Sequence, residues 1–472
     1  MSLLIFIVII SIGFRITMGA MFTLGGQNYL GVDGSTYLQQ VHVYLGNVDH
    51  TFDFMRPPLA PGFQLMPFVL LFGDKWGLII WGAIVGALPG IGIWMLAKQA
   101  NMSSLRTYLV TGFVLFEPFS QHLWWAGGAP MTGTFLNFVA LWGIREATLK
   151  GRIITIASVA VIPVTNFPLF PAAGLVLGAY WLLKPDHYTF KTLILSGMAG
   201  LIMFVPFATN VTPLSEDYRS QWRFVLDGEN SLEIFNTMTT WWWIFAGIIS
   251  GFIWHKYEIW PAILYVVFTT FTVIIFTSEP IYNIPLRGAG MMALLAFLAV
   301  ARWGSWRWLL PAGVLIVLAP FIHMFWYSGG FAEVMQLAAK VPPENLIRAN
   351  HRVQAYYIEY EYDRHVGQIA HIMGVPNIFR QEADEVLCLL GQGALDSCPT
   401  QDEYWIVRDL MRYPWWHPNN LWFGYEGNYR EDLPCWFEHI ETKQVEFPWT
   451  LSIDVAYIMY RVNASKDCAK IL

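Results

Sequence analysis

Long apolar runs broken by short polar turns fill the chain from residue 3 to residue 327. A bilayer core about 30 Å thick is crossed by roughly 20 mostly apolar helical residues. The pattern predicts about eleven such spans, over 3–24, 76–97, 105–125, 130–144, 153–167, 168–183, 191–209, 239–255, 259–277, 285–301 and 308–327. Several are short and interrupted by proline, as in VIPVTNFPLFPAAG. Broken helices of that kind suit the lining of a cavity better than a plain anchor. The first run is too long for a signal-peptide core and carries Arg15, so it reads as an uncleaved span. No repeat of fixed period appears, which counts against solenoids and inverted-repeat transporters.

The segment 57–72, PPLAPGFQLMPFVLLF, is apolar but short and carries Pro57, Pro58, Pro61 and Pro67. If it spans, Lys98, Arg106, Arg145, Lys150 and Arg152 fall outside. If it dips in and returns, all of them face the cytoplasm, together with Lys184, Lys191, Lys256, Arg302 and Arg307. Basic loops belong inside, so 57–72 reads as re-entrant or interfacial. The amino terminus is then cytoplasmic, and everything after residue 327 is extracytoplasmic, at a plasma membrane or in an ER lumen.

Composition agrees. Hydrophobic residues make up 55% of the chain and charged ones 13%, about half the charge of a soluble domain. Residues 1–327 carry 16 Lys+Arg against 14 Asp+Glu, and residues 328–472 carry 12 against 20. The chain therefore divides into a transmembrane domain, 1–327, and an acidic soluble domain, 328–472. No basic run exists, which excludes nucleic acid. All four cysteines, Cys388, Cys398, Cys435 and Cys468, lie in the acidic domain. An even set on one water-facing segment suggests disulfides in an oxidising compartment, with Cys388–Cys398 and Cys435–Cys468 as the local pairing. The stretch after Lys340 reads as helical as far as Gly374, and TLSIDVAYIMYRV near the end alternates as strands do. The whole predicts a polytopic α-helical membrane protein with an extracytoplasmic α+β domain. His351, His365 and His371 lack the spacing of a zinc helix and read as surface residues. Trp124, Trp125, Trp241, Trp242, Trp243, Trp260 and Trp326 fall near span ends, as in an aromatic belt.

Residues 25–56 form the first outer loop and hold Asp33, His42, Asp49, His50, Asp53 and Arg56. Within it STYLQQVHVYL predicts a short amphipathic helix, with Tyr37, Val41 and Tyr44 at helical spacing. Asp33 stands just before that helix, where an aspartate also serves as a plain cap. Spaced carboxylates such as Asp49 and Asp53, with His50, either help hold a divalent cation (Mg or Mn) or are simply solvated.

Asp33, a tyrosine four residues later, then Arg56-Pro57-Pro58-Leu59 with Pro61, resembles the start of the GT-C glycosyltransferases. The likeness is to polyprenyl- or dolichyl-phosphate-sugar enzymes of the protein O-mannosyltransferase and aminoarabinose transferase type. It continues through Leu71-Phe72-Gly73-Asp74 and GAIVGALPGIGIWMLAK, and returns loosely at SEPIYNIPLRGAGMMALLAFLAVA, 278–301. It implies an inverting membrane glycosyltransferase that moves a sugar from a polyprenyl-phosphate donor to a protein, lipid or glycan acceptor. The family's catalytic carboxylate falls on Asp33, and Tyr37 matches an aromatic position, which makes it a candidate substrate-binding residue with packing as its plainer role. One departure is the turn WWAGGAPMTG, where many relatives carry another aspartate; here the nearest carboxylate is Glu117.

The chemistry needed fits these residues. A phosphate leaves without a proton, so the acid–base pair of a glycosidase reduces to one base. Positive charge must stand ready for the departing phosphate. Arg56 and Arg287 offer it in bidentate form; snorkelling for Arg56 and a pair with Glu279 for Arg287 are the plainer alternatives. His50, Asp53 and Glu117 complete the candidate substrate-binding set, with capping or a pair with His122 the plainer role for Glu117. Two other classes remain in view: a transporter or flippase of a lipid-linked glycan, and a non-catalytic scaffold subunit. Transporters place ionisable residues at the midplane, whereas here they gather in the outer loop.

Overall fold

The computed structural model describes residues 2–24, 34–46, 59–116, 128–166, 169–183, 185–210, 331–349, 366–368, 401–410, 433–445 and 455–463. It also describes isolated positions between 291 and 302, 358 and 362, and 385 and 399. The expected spans 239–255, 259–277 and 308–327 lie outside these residues, as do most of 285–301 and the outer end of 105–125. The helices are α1 (Ser2–Leu24), α2 (Gly34–Tyr44), α3 (Leu59–Gln99), α4 (Ser104–Leu115), α5 (Gly128–Glu146), α6 (Leu149–Thr165), α7 (Leu169–Leu183), α8 (His187–Asn210) and α9 (Phe331–Ala338). One described helix, Ala60–Gln99, is long and apolar enough to cross a membrane by length and composition.

That helix is bent back on itself. Gly73 has φ 74° and ψ 171°, a conformation open to glycine alone. A Cβ on Gly77 would stand 2.7 Å from the Val69 nitrogen and 2.8 Å from the Phe68 carbonyl carbon. Residues eight apart in a straight helix are separated by about 12 Å. Residues 59–72 therefore fold back along the start of 74–99, and the pair is a helical hairpin whose tip carries Leu70, Leu71, Phe72 and Trp76, all exposed.

Small residues bring the other helices together. Thr155 on α6 donates to the Ala140 carbonyl on α5 at 3.1 Å, and Gly151 lies so close to the Gly143 carbonyl that no Cβ fits. Arg152 donates to Thr192 on α8 at 3.1 Å and lies 4.2 Å over the Tyr188 ring. Side chains satisfy free N–H groups at helix starts: Thr148 accepts from Gly151 at 3.0 Å and Asp186 accepts from Thr189 at 2.8 Å. One apolar core runs from Ile93 through Phe138, Val159 and Leu177 to Leu294 and Leu298.

After residue 330 the fold changes to a sheet of order β2-β1-β3-β5-β4. Its strands are β1 (Leu346–Ala349), β2 (Val366–Gln368), β3 (Glu403–Leu410), β4 (Phe437–Val445) and β5 (Val455–Val462). The first three neighbours run parallel and the last three antiparallel, with a bulge between His439 and Glu441. Alternation along the strands sends Ile406, Tyr457 and Met459 under α9, and Trp405, Val407, Ile458 and Tyr460 to the opposite face. The strand expected near the carboxyl end is β5. The stretch expected to be mostly helical contains β1 and β2, with helical positions 358, 359, 361 and 362 between them. Leu346–Ala349 is buried at three successive positions, Arg348 among them, so a strand covered on both faces shows no alternation to mark it.

Candidate functional site around the second helix

Asp33, His50, Asp53, Arg56, Glu117 and Arg287 lie outside the described residues, as do Asp49, His122 and Glu279. The structure does describe the elements that flank them. Helix α2 starts at the residue after Asp33, and α3 starts three residues after Arg56.

Helix α2 packs on the hairpin. Tyr37, Leu38 and Val41 enter one core with Leu65, Val69, Leu78, Ile79 and Trp81 of α3 and Met131 of α5. The Tyr37 ring meets Trp81 edge-on at 5.7 Å, so Tyr37 is a packing residue. Gly62 makes the approach possible, because a Cβ there would stand 2.8 Å from both Gln40 Oε1 and Tyr44 Cε2. Tyr44 stacks on Phe63 at 4.4 Å with an interplanar angle of 8°. Burial pushes the Tyr44 phenol up to about 12, so it stays neutral throughout the physiological range. Gln64 Oε1 accepts from Thr132 on α5 at 3.3 Å.

The amphipathic reading of α2 is only half of what is found. Gln39 and Gln40 are also buried, so tertiary contacts enclose the polar side of this helix as well as its apolar side.

Two residues gain a place here that spacing alone did not give them. His42 Nε2 lies 2.8 Å from Asp74 Oδ2, tying the last turn of α2 to the hairpin tip beside Gly73. The partners are 32 positions apart, so no local pattern marks the pair. Arg15 is 4% exposed and donates from Nη2 to the Leu115 carbonyl at 2.8 Å, which Ser11 shares at 2.9 Å. Leu115 ends α4, where carbonyls lack helical donors and the helix dipole is negative, and it stands two residues before Glu117. An arginine within an apolar run was itself the signal.

Among the described residues no group of three His, Cys, Asp or Glu side chains is placed to hold a metal. Cys388 and Cys435, the two described cysteines, are disulfide-bonded and neither is free. Cys398 and Cys468, the partners in the expected pairing, lie outside the described residues.

No family model and no curated protein sequence matches this chain. Solved structures similar to it include ArnT from Cupriavidus metallidurans in the apo state, at 15% identity and TM-score 0.49 over 86% of this chain and 92% of that one. The same ArnT bound to undecaprenyl phosphate gives 14% and 0.48 over 96% and 97%. The Archaeoglobus fulgidus oligosaccharyltransferase tethered with an acceptor peptide gives 10% and 0.41 over 83% and 68%. These neighbours, an aminoarabinose transferase and an oligosaccharyltransferase, are GT-C glycosyltransferases. Superposition this loose at identity this low assigns the chain neither a family nor an activity.

Proposed function

We propose that this chain is a multi-spanning membrane glycosyltransferase that takes a sugar from a polyprenyl-phosphate donor on the extracytoplasmic face. The observation that carries the reading is the seating of α2 on the first turns of α3, with Gln40 and Tyr44 against Gly62 and Phe63. The two motifs of the resemblance, Asp33 before α2 and Arg56 before α3, thus introduce elements that pack together. Membrane residence is supported by the exposed aliphatic and aromatic side chains of α1 (Ile5, Phe6, Ile9), the hairpin tip and α8 (Met198, Leu201, Ile202). Soluble monomers rarely expose apolar patches on that scale.

In this reading an acceptor hydroxyl or amine attacks the anomeric carbon as the bond to the donor phosphate breaks. Asp33 takes the acceptor's proton, Arg56 holds the departing phosphate with Arg287 in support, and configuration inverts. His50, Asp53 and Glu117 contact substrate. Polyprenyl phosphate leaves with its electron pair and needs no proton.

Substitution separates these roles. Asp33→Asn keeps size and cap but removes the base, and should bind donor normally while transfer slows about 10²–10⁴-fold. Arg56→Ala should lose both donor affinity and rate, because charge on the phosphate grows as the bond breaks. Mass spectrometry of cellular glycans with wild type and each variant reads the outcome. Wild-type glycosylation by Asp33→Asn would return Asp33 to a helix cap.

A further inference from the structure

Gln39 is 7% exposed, and among the described residues it is the one buried side-chain amide for which both Nε2 and Oε1 lack a hydrogen-bond partner. It lies about 200° around α2 from Tyr37, away from the side that packs on α3. Tyr37 against Trp81 and His42 against Asp74 hold the rotation of the helix, so Gln39 has a defined direction. It also lies about 7.5 Å along the axis from the helix start that follows Asp33. A buried amide without partners is costly and calls for an explanation.

We infer that Gln39 is a specificity-determining residue whose amide takes two neighbouring hydroxyls of the donor sugar. This rests on the transferase reading above. The amide presents one acceptor and a pair of donors. A phosphate offers acceptors alone and would leave Oε1 unmet, and a polyprenyl chain offers nothing polar. A hydroxyl both donates and accepts, so a vicinal pair of hydroxyls satisfies both ends of the amide. The hydroxyls of a monosaccharide supply that pair, and the short rise along α2 from its first turn to Gln39 suits the ring of the transferred sugar.

The test uses the full chain in lipid nanodiscs and four probes: undecaprenyl phosphate, and the same lipid phosphate carrying mannose, glucose or 4-amino-4-deoxyarabinose. Wild type should bind one of the sugar-bearing lipids more tightly than the bare one. Gln39→Met keeps the volume without the amide. It should bind undecaprenyl phosphate as wild type does, lose about 10–100-fold for the preferred sugar lipid, and melt no lower than wild type. A structural role predicts the opposite, a lower Tm with the sugar preference intact, and that result overturns the assignment. Mono-deoxy analogues of the preferred sugar provide a second arm that needs no variant. Two adjacent deoxy positions should each weaken wild-type binding about tenfold or more, and equal binding of every analogue overturns the proposal even if Gln39→Met fails to fold. Wild type that binds none of the sugar lipids overturns the transferase reading, and Gln39 with it. An active wild type with an indifferent Gln39→Met overturns the Gln39 assignment alone.

Discussion

Arg15 in the helical region and Arg348 in the sheet domain are both buried, at 4% and 0% exposure, and the two regions accommodate them differently. Arg15 donates to the carbonyl that ends α4, so helix geometry supplies an acceptor at the negative end of a dipole. Arg348, on β1, is met by two carboxylates. Its Nε and Nη2 reach Glu403 at 2.7 and 3.1 Å, and Nη2 reaches Glu385 at 2.8 Å, while Trp405 donates to the same Glu403 at 3.4 Å. The outer surfaces differ in the same sense. Helices α1, α3 and α8 turn Ile9, Leu71 and Ile202 outward. The sheet domain buries most of the described positions of β3 and β5 and shows ion pairs on its surface, Lys340 with Glu441 and Arg461 with Asp402. One surface suits hydrocarbon and the other water.

The largest effect that would break this contrast, beyond loss of transfer in Asp33→Asn, is expected at Arg348. Arg348→Ala leaves Glu403, at 4% side-chain exposure, without its charge partner, and removing one member of a buried pair costs about 3–5 kcal/mol. Residues 331–472 should become protease-sensitive while the helical region keeps its protection. Replacing Arg348, Glu385 and Glu403 together by Met, Leu and Leu should restore most of the loss. An Arg348→Ala protein as resistant as wild type would show that the pair does not hold the domain.

Next comes the outer surface itself. Ile9 and Ile440 are both exposed, at 62% and 42%. Ile9→Asp should cost about 2.5–3.5 kcal/mol of insertion, because a carboxylate in hydrocarbon is expensive. Ile440→Asp should stay within about 0.5 kcal/mol, as for an ordinary water-facing site. Alkaline extraction of membranes and thermal unfolding read the two. Equal tolerance at both positions would remove the distinction between the surfaces.

The smallest effect belongs to the turn before α8. The Thr189 hydroxyl and N–H hold the Asp186 carboxyl below the usual carboxylate range. A depressed value stabilises the fold above the unfolded value and loses that contribution as the folded group protonates. Asp186→Ala should therefore lower stability by about 1 kcal/mol near neutrality, and the gap should close as pH falls below about 4. Melting curves at pH 7 and pH 3 test the sign, and a gap that widens in acid would contradict it.

Much of the helical frame was legible along the chain. Apolar runs at 3–24, 130–144, 153–167, 168–183 and 191–209 coincide with α1, α5, α6, α7 and α8, and the tyrosine and valine spacing of the outer loop with α2. Residues 57–72 stood out through their prolines and the basic loops downstream. The catalytic assignments rested on the order of short motifs, and the described residues place Tyr37 alone among them, in packing. What was missed has a shared cause. β1 is buried on both faces and carries no period, and the His42–Asp74 pair joins residues 32 positions apart.

Local sequence determined what each segment could become, because helix period, proline placement and capping side chains act within a few residues of one another. Tertiary structure alone decided which of those segments meet. The reversal at Gly73 puts Asp74 beside His42, Gly62 lets α2 settle on α3, and that seating turns Gln39 to the side away from α3. None of these follows from periodicity, since each depends on a close approach between residues far apart in the chain.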